Sequence, residues 1–461
     1  MTLNKNYWKV WIIPGAFFIF GLFFEYLSYF FGYKRYIFSI EMYASFFFIL
    51  MGKKWIAIPL FVFSIAIELV LGMSSILYLF DISQVETVLS FFSEAKRSYI
   101  FLFVLYFSLL ILFFVAIGKF SKSVGWKRFA VLGILLLMTQ FTLSLRDGNL
   151  IRPTLTSRGN LIFGSSLYVS SEVMGLNREV YALTSDEKGE FLPVKKPSAV
   201  HLAWGDTSGL PDKLMLVVAE SWGKSKDEKI VSHEISSLVQ SKNISNLKIG
   251  NVSSGGATIY GEFRELCGIV PTKLKFRKVN KEDLIGCLPN DLMANGYKTV
   301  SLHGAHGTMY DRMTWYPLVG IQKMLFKENL PFDKTKECYS FPGYCDRYLF
   351  EHALHELKSV PKVLLYWMSL NSHTPYDKRD ISFYDEAICK NGLGENYSEQ
   401  LCVYHQLHYQ FFKELEKMTH DPALKGMEVI VVGDHAPIFN DEESREKFEK
   451  NQVSSISFSV K

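Results

Sequence analysis

The pattern of apolar and polar positions divides the chain into two unlike parts. Up to about Leu145 it is dominated by Phe, Leu, Ile, Val and Tyr, broken only by short clusters of charge. A helix that crosses a bilayer needs about 20 mostly apolar residues. Five stretches approach or exceed that length, at about 8–31, 36–51, 55–80, 99–117 and 129–145. The second is short and fits a tilted or partly interfacial helix. The first is too long, and has the wrong downstream context, for a cleaved leader. Residues 1–146 are therefore predicted to be a transmembrane domain of about five helices.

Residues 147–210 mix short apolar runs with Pro, Gly and Ser and read as a linker. Within it, NLIFGSSLYVSSEVM (Asn160–Met174) is amphipathic and suits a helix lying on a membrane surface. From residue 211 to 461 the pattern is that of a soluble domain. LMLVVAE (Leu214–Glu220), YKTVSLHG (Tyr297–Gly304), VLLYWMSLNSH (Val363–His373) and MEVIVVGDHAP (Met427–Pro437) are short apolar runs that end in polar residues. Such runs predict buried strands, and the segments between them have helical length and pattern. The expected fold is a multi-pass helical membrane domain followed by an α/β domain with a central, mostly parallel sheet covered by helices.

Charge and cysteine usage place the soluble part. Lys5, Lys9, Lys53, Lys54, Lys119, Lys122, Lys127 and Arg128 fall on one side of the predicted spans. Lys34, Arg35, Lys96 and Arg97 fall on the other, partly offset by Glu86 and Glu94. The more basic side faces the cytoplasm. Five crossings from an inside N-terminus put everything after Leu145 outside. All six cysteines lie beyond residue 260, which suggests disulfides and an oxidising compartment. Pairing of sequential neighbours is expected: Cys267–Cys287, Cys338–Cys345 and Cys389–Cys402. The net charge of +4 is small and dispersed and does not point to nucleic acid. Glu25, Glu41 and Glu68 stand within apolar stretches, where an acid either serves a polar cavity or pairs with neighbouring Ser, Tyr or water.

The strand ends carry the candidate chemistry. In open α/β sheets, ligands bind beyond the carboxyl ends of the strands. Glu220, His303, His373, Asp434 and His435 all stand at or beyond such ends. Glu220, Asp434 and His435 form a mixed oxygen and nitrogen set suited to a divalent metal. VSSGGATIYGEFRELCG (Val252–Gly268) offers a further ligand, with a helix predicted to begin near Thr258. Thr258 is open to two readings. Its oxygen on a metal at a helix N-terminus would be a stabilised nucleophile, and the same helix end would favour a phosphate. Otherwise it is a helix N-cap, as Thr often is.

VVAESWG (Val217–Gly223), GGATIYGEF (Gly255–Phe263), NSHTPY (Asn371–Tyr376) and VVGDHAP (Val431–Pro437) together resemble the sulfatase and alkaline phosphatase superfamily. Within it the chain is similar to the membrane-bound transferases: lipoteichoic acid synthases, phosphoglycerol transferases and phosphoethanolamine transferases. The resemblance implies Glu220, Asp434, His435 and Thr258 as ligands of one divalent metal, zinc by preference with manganese or magnesium as alternatives. It implies Thr258 as nucleophile, and His373, or else His303, as general acid. HGAHGTMYDRMTWY (His303–Tyr316) is similar to the substrate segment of lipoteichoic acid synthases, which implies His303, Arg312, Tyr310 and His306 as substrate-binding residues. Tyr310 stands where that family has a tryptophan, and Ala305 replaces an acid. The C/S-x-P-x-R signature of true sulfatases is absent, so sulfate-ester hydrolysis is not expected.

The implied activity is two-step transfer of a phospholipid head group, phosphoethanolamine or phosphoglycerol, to a surface glycan such as lipopolysaccharide, O-antigen or capsule. A covalent intermediate on Thr258 would link the two steps. The implied setting is a bacterial inner membrane, with a monomeric multi-pass enzyme whose catalytic domain is periplasmic or extracellular. Two other readings remain: a membrane-bound phosphodiesterase or phosphatase with water as acceptor, and a non-catalytic membrane scaffold that keeps the fold.

Overall fold

The computed structural model describes residues 17–19, 21, 22, 25, 26, 28, 35–76, 104, 105, 108, 111, 112, 114, 115, 126–146, 162–169, 189–205, 207–273, 276–392, 397–439 and 441–461. The chain divides into two compact units, Met1–Ala182 and Leu183–Lys461.

The first unit contains β1 (Phe38–Ser39), α1 (Ile40–Leu50), α2 (Lys54–Ile76), α3 (Trp126–Arg146) and β2 (Phe163–Gly164). Ser39 caps α1, its hydroxyl accepting from Met42 N at 3.1 Å. A core of aromatic rings, among them Phe17, Phe46, Phe61, Phe114 and Phe129, holds the helices together. The three acids of the apolar stretches are paired inside this unit. Glu68 meets Arg35 at 3.0 Å and Ser166 Oγ at 2.8 Å. Glu41 accepts from Ser166 N at 3.1 Å and Leu167 N at 3.2 Å, and Glu25 lies 3.4 Å from Ser28 Oγ. Among the described residues no helix is long and apolar enough to cross a membrane. The stretches 8–31 and 99–117 fall largely outside the described residues.

The second unit begins with β3 (Phe191–Pro193) and α4 (Ala199–Trp204), so part of the sequence-predicted linker folds with it. Then follow β4 (Lys213–Ala219), β5 (Gly223–Ser225), α5 (Glu228–Glu234), β6 (Ile244–Ser253), α6 (Thr258–Cys267) and β7 (Ile269–Pro271). The remainder comprises α7 (Leu288–Ala294), β8 (Lys298–His303), α8 (Arg312–Trp315), β9 (Lys323–Leu325), α9 (Asp346–Ser359), β10 (Val363–Met368), α10 (Glu399–Met418), β11 (Glu428–Gly433) and β12 (Phe448–Val460).

An eight-stranded sheet runs β5-β12-β11-β4-β10-β8-β9, with β6 added on β12. β11, β4, β10, β8 and β9 are parallel, whereas β12 is antiparallel to β11, β5 and β6. The four apolar runs of the sequence are the four central strands. They are continuous in apolarity because both faces are covered. Met215, Val217 and Trp367 face the layer of α9 and α10, where Trp367 packs on Phe350 and Phe411 at ring separations of 4.7 and 5.5 Å. The next residue back on β10, Tyr366, faces the opposite layer and reaches α6. The period of two along a strand dictates this alternation.

All six cysteines are paired as sequential neighbours, Cys267–Cys287, Cys338–Cys345 and Cys389–Cys402. The last ties the loop before α10 to the first turn of that helix. Replacing both Cys389 and Cys402 with Ser should lower stability by about 2–4 kcal/mol, the usual contribution of a bridge closing a loop of this kind. The denaturant midpoint of the double variant measures it, and an unchanged midpoint would show that the bridge contributes nothing.

Candidate active site

Parallel strands deliver their C-terminal ends to one edge of the sheet, and the acids sit there. Glu220 follows the last residue of β4, and Asp434 and His435 follow the last of β11. The two strands are neighbours in register, Ala219 opposite Gly433. A turn locks them together. Ser221 adopts a left-handed conformation at φ 57°. From there its amide donates to Asp434 Oδ1 at 2.7 Å and its hydroxyl to Glu220 Oε1 at 2.8 Å. Ser369, just beyond β10, accepts from Glu220 N at 2.9 Å, and Ser372 Oγ donates to Glu220 O at 2.5 Å. The two carboxylates are thus held by neighbouring strands rather than by a mobile loop.

Ligand atoms of Glu220, Asp434 and His435 all lie within 4.8 Å of one another, and all three residues are buried. His435 Nε2 is 3.4 Å from Glu220 Oε1, 3.3 Å from Asp434 Oδ2 and 3.4 Å from Thr258 Oγ1. These separations sit at the long end of the hydrogen-bond range. They match the edge of a tetrahedron, since donors about 2.0–2.1 Å from a zinc-like ion stand about 3.3–3.4 Å apart. Asp434 Oδ2 is buried and has no hydrogen-bond partner among the described residues. His435 Nδ1 donates to Ala436 O at 2.9 Å, which turns Nε2 towards the acids. The four donors therefore fit a divalent cation.

The electrostatics agree. Burial pushes the Asp434 carboxyl up, and the Glu220 charge pushes it further. Burial also opposes the charge on Glu220, but a hydrogen bond from His435 and the neighbouring His373 outweigh it and hold Glu220 well below the usual carboxylate range. His435 is pushed up to about 10 by Asp434 and Glu220, against its own burial. Without a cation, the cluster compensates its two acids with a proton on His435.

Thr258 is the first residue of α6, and the N-cap position belongs to Ala257, which makes no side-chain cap hydrogen bond. The capping reading of Thr258 is therefore set aside. Its hydroxyl instead faces His435 Nε2 at the positive end of the helix. Gly256, at φ 99°, provides the turn into the helix. One turn along, Gly261 lies against Asp434: a Cβ there would stand 2.7 Å from Asp434 Cα. Arg264 binds the same turn from below, donating to Gly433 O at 2.6 Å.

His303 closes β8 and is fully buried. Its Nδ1 donates to Met368 O at 2.9 Å, which leaves Nε2 as an acceptor facing Arg312 Nη1 at 3.4 Å. Burial and the Arg312 charge push its pKa down to about 3, so the ring is neutral. Arg312 donates through Nε and Nη2 to Glu262 Oε1 at 3.0 and 2.6 Å. Tyr310 holds a left-handed backbone at φ 54°, with its ring 5.2 Å from the Arg312 guanidinium carbon. His373 Nδ1 donates to Thr374 O at 2.5 Å, and its ring packs on Phe341 at 4.4 Å. His306 pairs with Glu328 at 3.2 Å and does not join the Glu220, Asp434 and His435 group.

Sequence reasoning did not single out Ser221, Gly261, Glu262, Arg264, Ser369 or Ser372, which orient the named residues. Glu262 left one signal: an acid four residues after Thr258, on the same face of its helix.

Residues 213–455 match the family model described as Sulfatase. Among solved structures, the chain is similar to the lipoteichoic acid synthase LtaP from Listeria monocytogenes, at 18% identity, covering 55% of this chain and 66% of that one with a TM-score of 0.41. It is also similar to the phosphoglycerol transferase GacH from Streptococcus pyogenes, at 17% identity, 54% and 68% coverage and a TM-score of 0.41. The integral membrane lipooligosaccharide phosphoethanolamine transferase A from Neisseria meningitidis is similar at 13% identity, 90% and 79% coverage and a TM-score of 0.40. The chain thus spans just under two thirds of the first of these structures. No curated protein matches it.

Two outcomes are expected. Gly261→Ala should displace Asp434 and weaken zinc binding by about tenfold or more while leaving the circular dichroism spectrum unchanged; wild-type affinity would show that the close approach is dispensable. Zinc binding should also displace the proton that His435 carries up to about pH 10. Affinity therefore rises with pH from 6 to 8, and calorimetry in buffers of different ionisation enthalpy should register proton release. A pH-independent affinity would count against His435 as a ligand.

Proposed function

The chain belongs to the sulfatase family, and from that premise we propose that it transfers a phospholipid head group, phosphoethanolamine or phosphoglycerol, to a cell-surface glycan. The observation that carries this reading is the hydroxyl of Thr258 at a helix N-terminus, 3.4 Å from His435 Nε2 and beside two buried acids. A divalent cation held by Glu220, Asp434, His435 and Thr258, zinc by preference with manganese or magnesium as alternatives, would supply the Lewis acidity that lowers the pKa of the Thr258 hydroxyl.

The protein's own groups account for the remaining chemistry. Thr258 Oγ1, its proton given up to solvent beforehand, forms a bond to phosphorus as the bond from phosphorus to the diacylglycerol oxygen breaks. The N-terminus of α6 favours the charge on the non-bridging oxygens, and the N–H donors of Arg312 orient them. His373, when doubly protonated, gives the diacylglycerol oxygen the proton it needs from Nε2, since its Nδ1 proton is engaged with Thr374 O. His303 also commits its Nδ1 proton to a backbone carbonyl, Met368 O, but its Nε2 lone pair faces Arg312 and its ring is held neutral. It suits a substrate-orienting role rather than that of the acid. In the second step an acceptor hydroxyl attacks the phosphorus, Thr258 leaves, and the acceptor proton returns to His373. Tyr310 walls the head-group pocket beside Arg312.

The donor explains the first unit. A phospholipid does not leave its bilayer, so the apolar residues 1–146 are proposed to span a bacterial inner membrane and hold the catalytic unit on its outer face, as a monomer. Three disulfides support that compartment.

Incubating the purified chain with head-group-labelled phospholipid, with and without glycan, tests the proposal. Label should move to the glycan, and Thr258→Ala should reduce transfer by roughly 10³-fold or more. Intact mass measurement should find the head-group phosphate on Thr258 in the wild type. Head-group release that ignores the glycan would instead make water the acceptor and sink the transferase reading.

A further inference from the structure

Two guanidinium groups are buried beside the site, and each is matched by a carboxylate of α6. Arg264 Nε donates to Glu265 Oε1 at 2.5 Å. Arg312 donates twice to Glu262 Oε1, at 3.0 and 2.6 Å. Glu262 is wholly buried, and its second oxygen accepts from Tyr316 OH at 2.5 Å and Tyr366 OH at 2.9 Å. Every partner of Glu262 is therefore a donor, and the carboxylate is fully occupied. Burial opposes the charge on Arg312, but Glu262 outweighs it and keeps the guanidinium protonated.

This arrangement separates direction from charge. Arg312 keeps its Nη1 edge beside His303 Nε2, 3.4 Å away, at the carboxyl end of β8. Its positive charge, however, is cancelled by an acid at near contact, with both groups buried. Glu262 stands one helical turn after Thr258 on α6, so the helix that carries the nucleophile also carries the countercharge. A phosphodiester bears one negative charge near neutral pH, whereas a phosphomonoester bears close to two. A neutral Arg–Glu pair offers N–H donors to both but adds no net attraction for the second charge.

We propose that Glu262 is a specificity-determining residue: it aims Arg312 at the substrate and cancels its charge, so that the site favours phosphodiester monoanions over phosphomonoester dianions. This deepens the assignment made above and rests on it. A purely structural ion pair would stabilise the fold without affecting which ester is chosen.

The test measures kcat/KM of the zinc-loaded full chain for bis-p-nitrophenyl phosphate and p-nitrophenyl phosphate, and reads their ratio. Glu262→Gln leaves Arg312 uncompensated and should shift the ratio towards the monoester by about tenfold or more, as one added unit charge at this range requires. Arg312→Gln leaves the acid uncompensated and should shift it the other way, even if both rates fall. The double variant Glu262→Gln/Arg312→Gln removes both charges together, is the least exposed to misfolding, and should keep the wild-type ratio. Inorganic phosphate, followed by calorimetry at pH 8 where it is mainly the dianion, should bind Glu262→Gln more tightly than wild type. Single variants whose ratios stay at the wild-type value, or move in the same direction, would overturn the inference while leaving the transferase reading intact. Equal phosphate affinity of Glu262→Gln and wild type would overturn it as well.

Discussion

Two carboxylates buried within reach of one another cannot both stay ionised without a cation between or beside them. Glu220 and Asp434 are such a pair, and much of the catalytic unit can be read as the means of holding them there. Adjacent parallel strands bring their ends side by side. Ser221, in a left-handed conformation, hydrogen-bonds both acids at once. The compensating charge is a proton on His435 in the cation-free cluster, and the donor spacing suits a divalent ion in its place. Their mutual repulsion is what a divalent cation bound there would relieve.

Helix α6 is the second organising element. Its first residue presents the Thr258 hydroxyl to the cluster, its fourth, Gly261, packs on Asp434, and its fifth, Glu262, anchors Arg312. Arg264 then fastens the helix to the backbone of β11. Thr258, Asp434 and Arg312 are thereby referred to one rigid body. Catalysis by positioning and electrostatics needs this, because small misplacements weaken both.

Much of this was legible before the structure. The four central strands appear as short apolar runs because both faces of the sheet are covered, and their ends carry Glu220, His303, Asp434 and His435. The beginning of α6 at Thr258 was marked by the glycines before it. The disulfide pairing followed sequence neighbours, as the structure has it. The antiparallel β12 and β6 were not legible. Their residues mix polar with apolar, as in ISNLKIGNVS of β6, and only the pairing of β12 with β11, and of β6 with β12, makes them part of the same sheet.

By itself the sequence determined which residue types stand at strand ends and how the cysteines are spaced, because both are properties of local order and periodicity. Only the tertiary structure decided which of those residues share a site. It brought Thr258 to His435 across a sequence separation of 177, sent His306 to Glu328 instead, and gave Arg312 its partner in Glu262. The physical reason is that burial and charge compensation are set by what packs from other elements, and no local pattern in a chain records the partner that a buried charge will find.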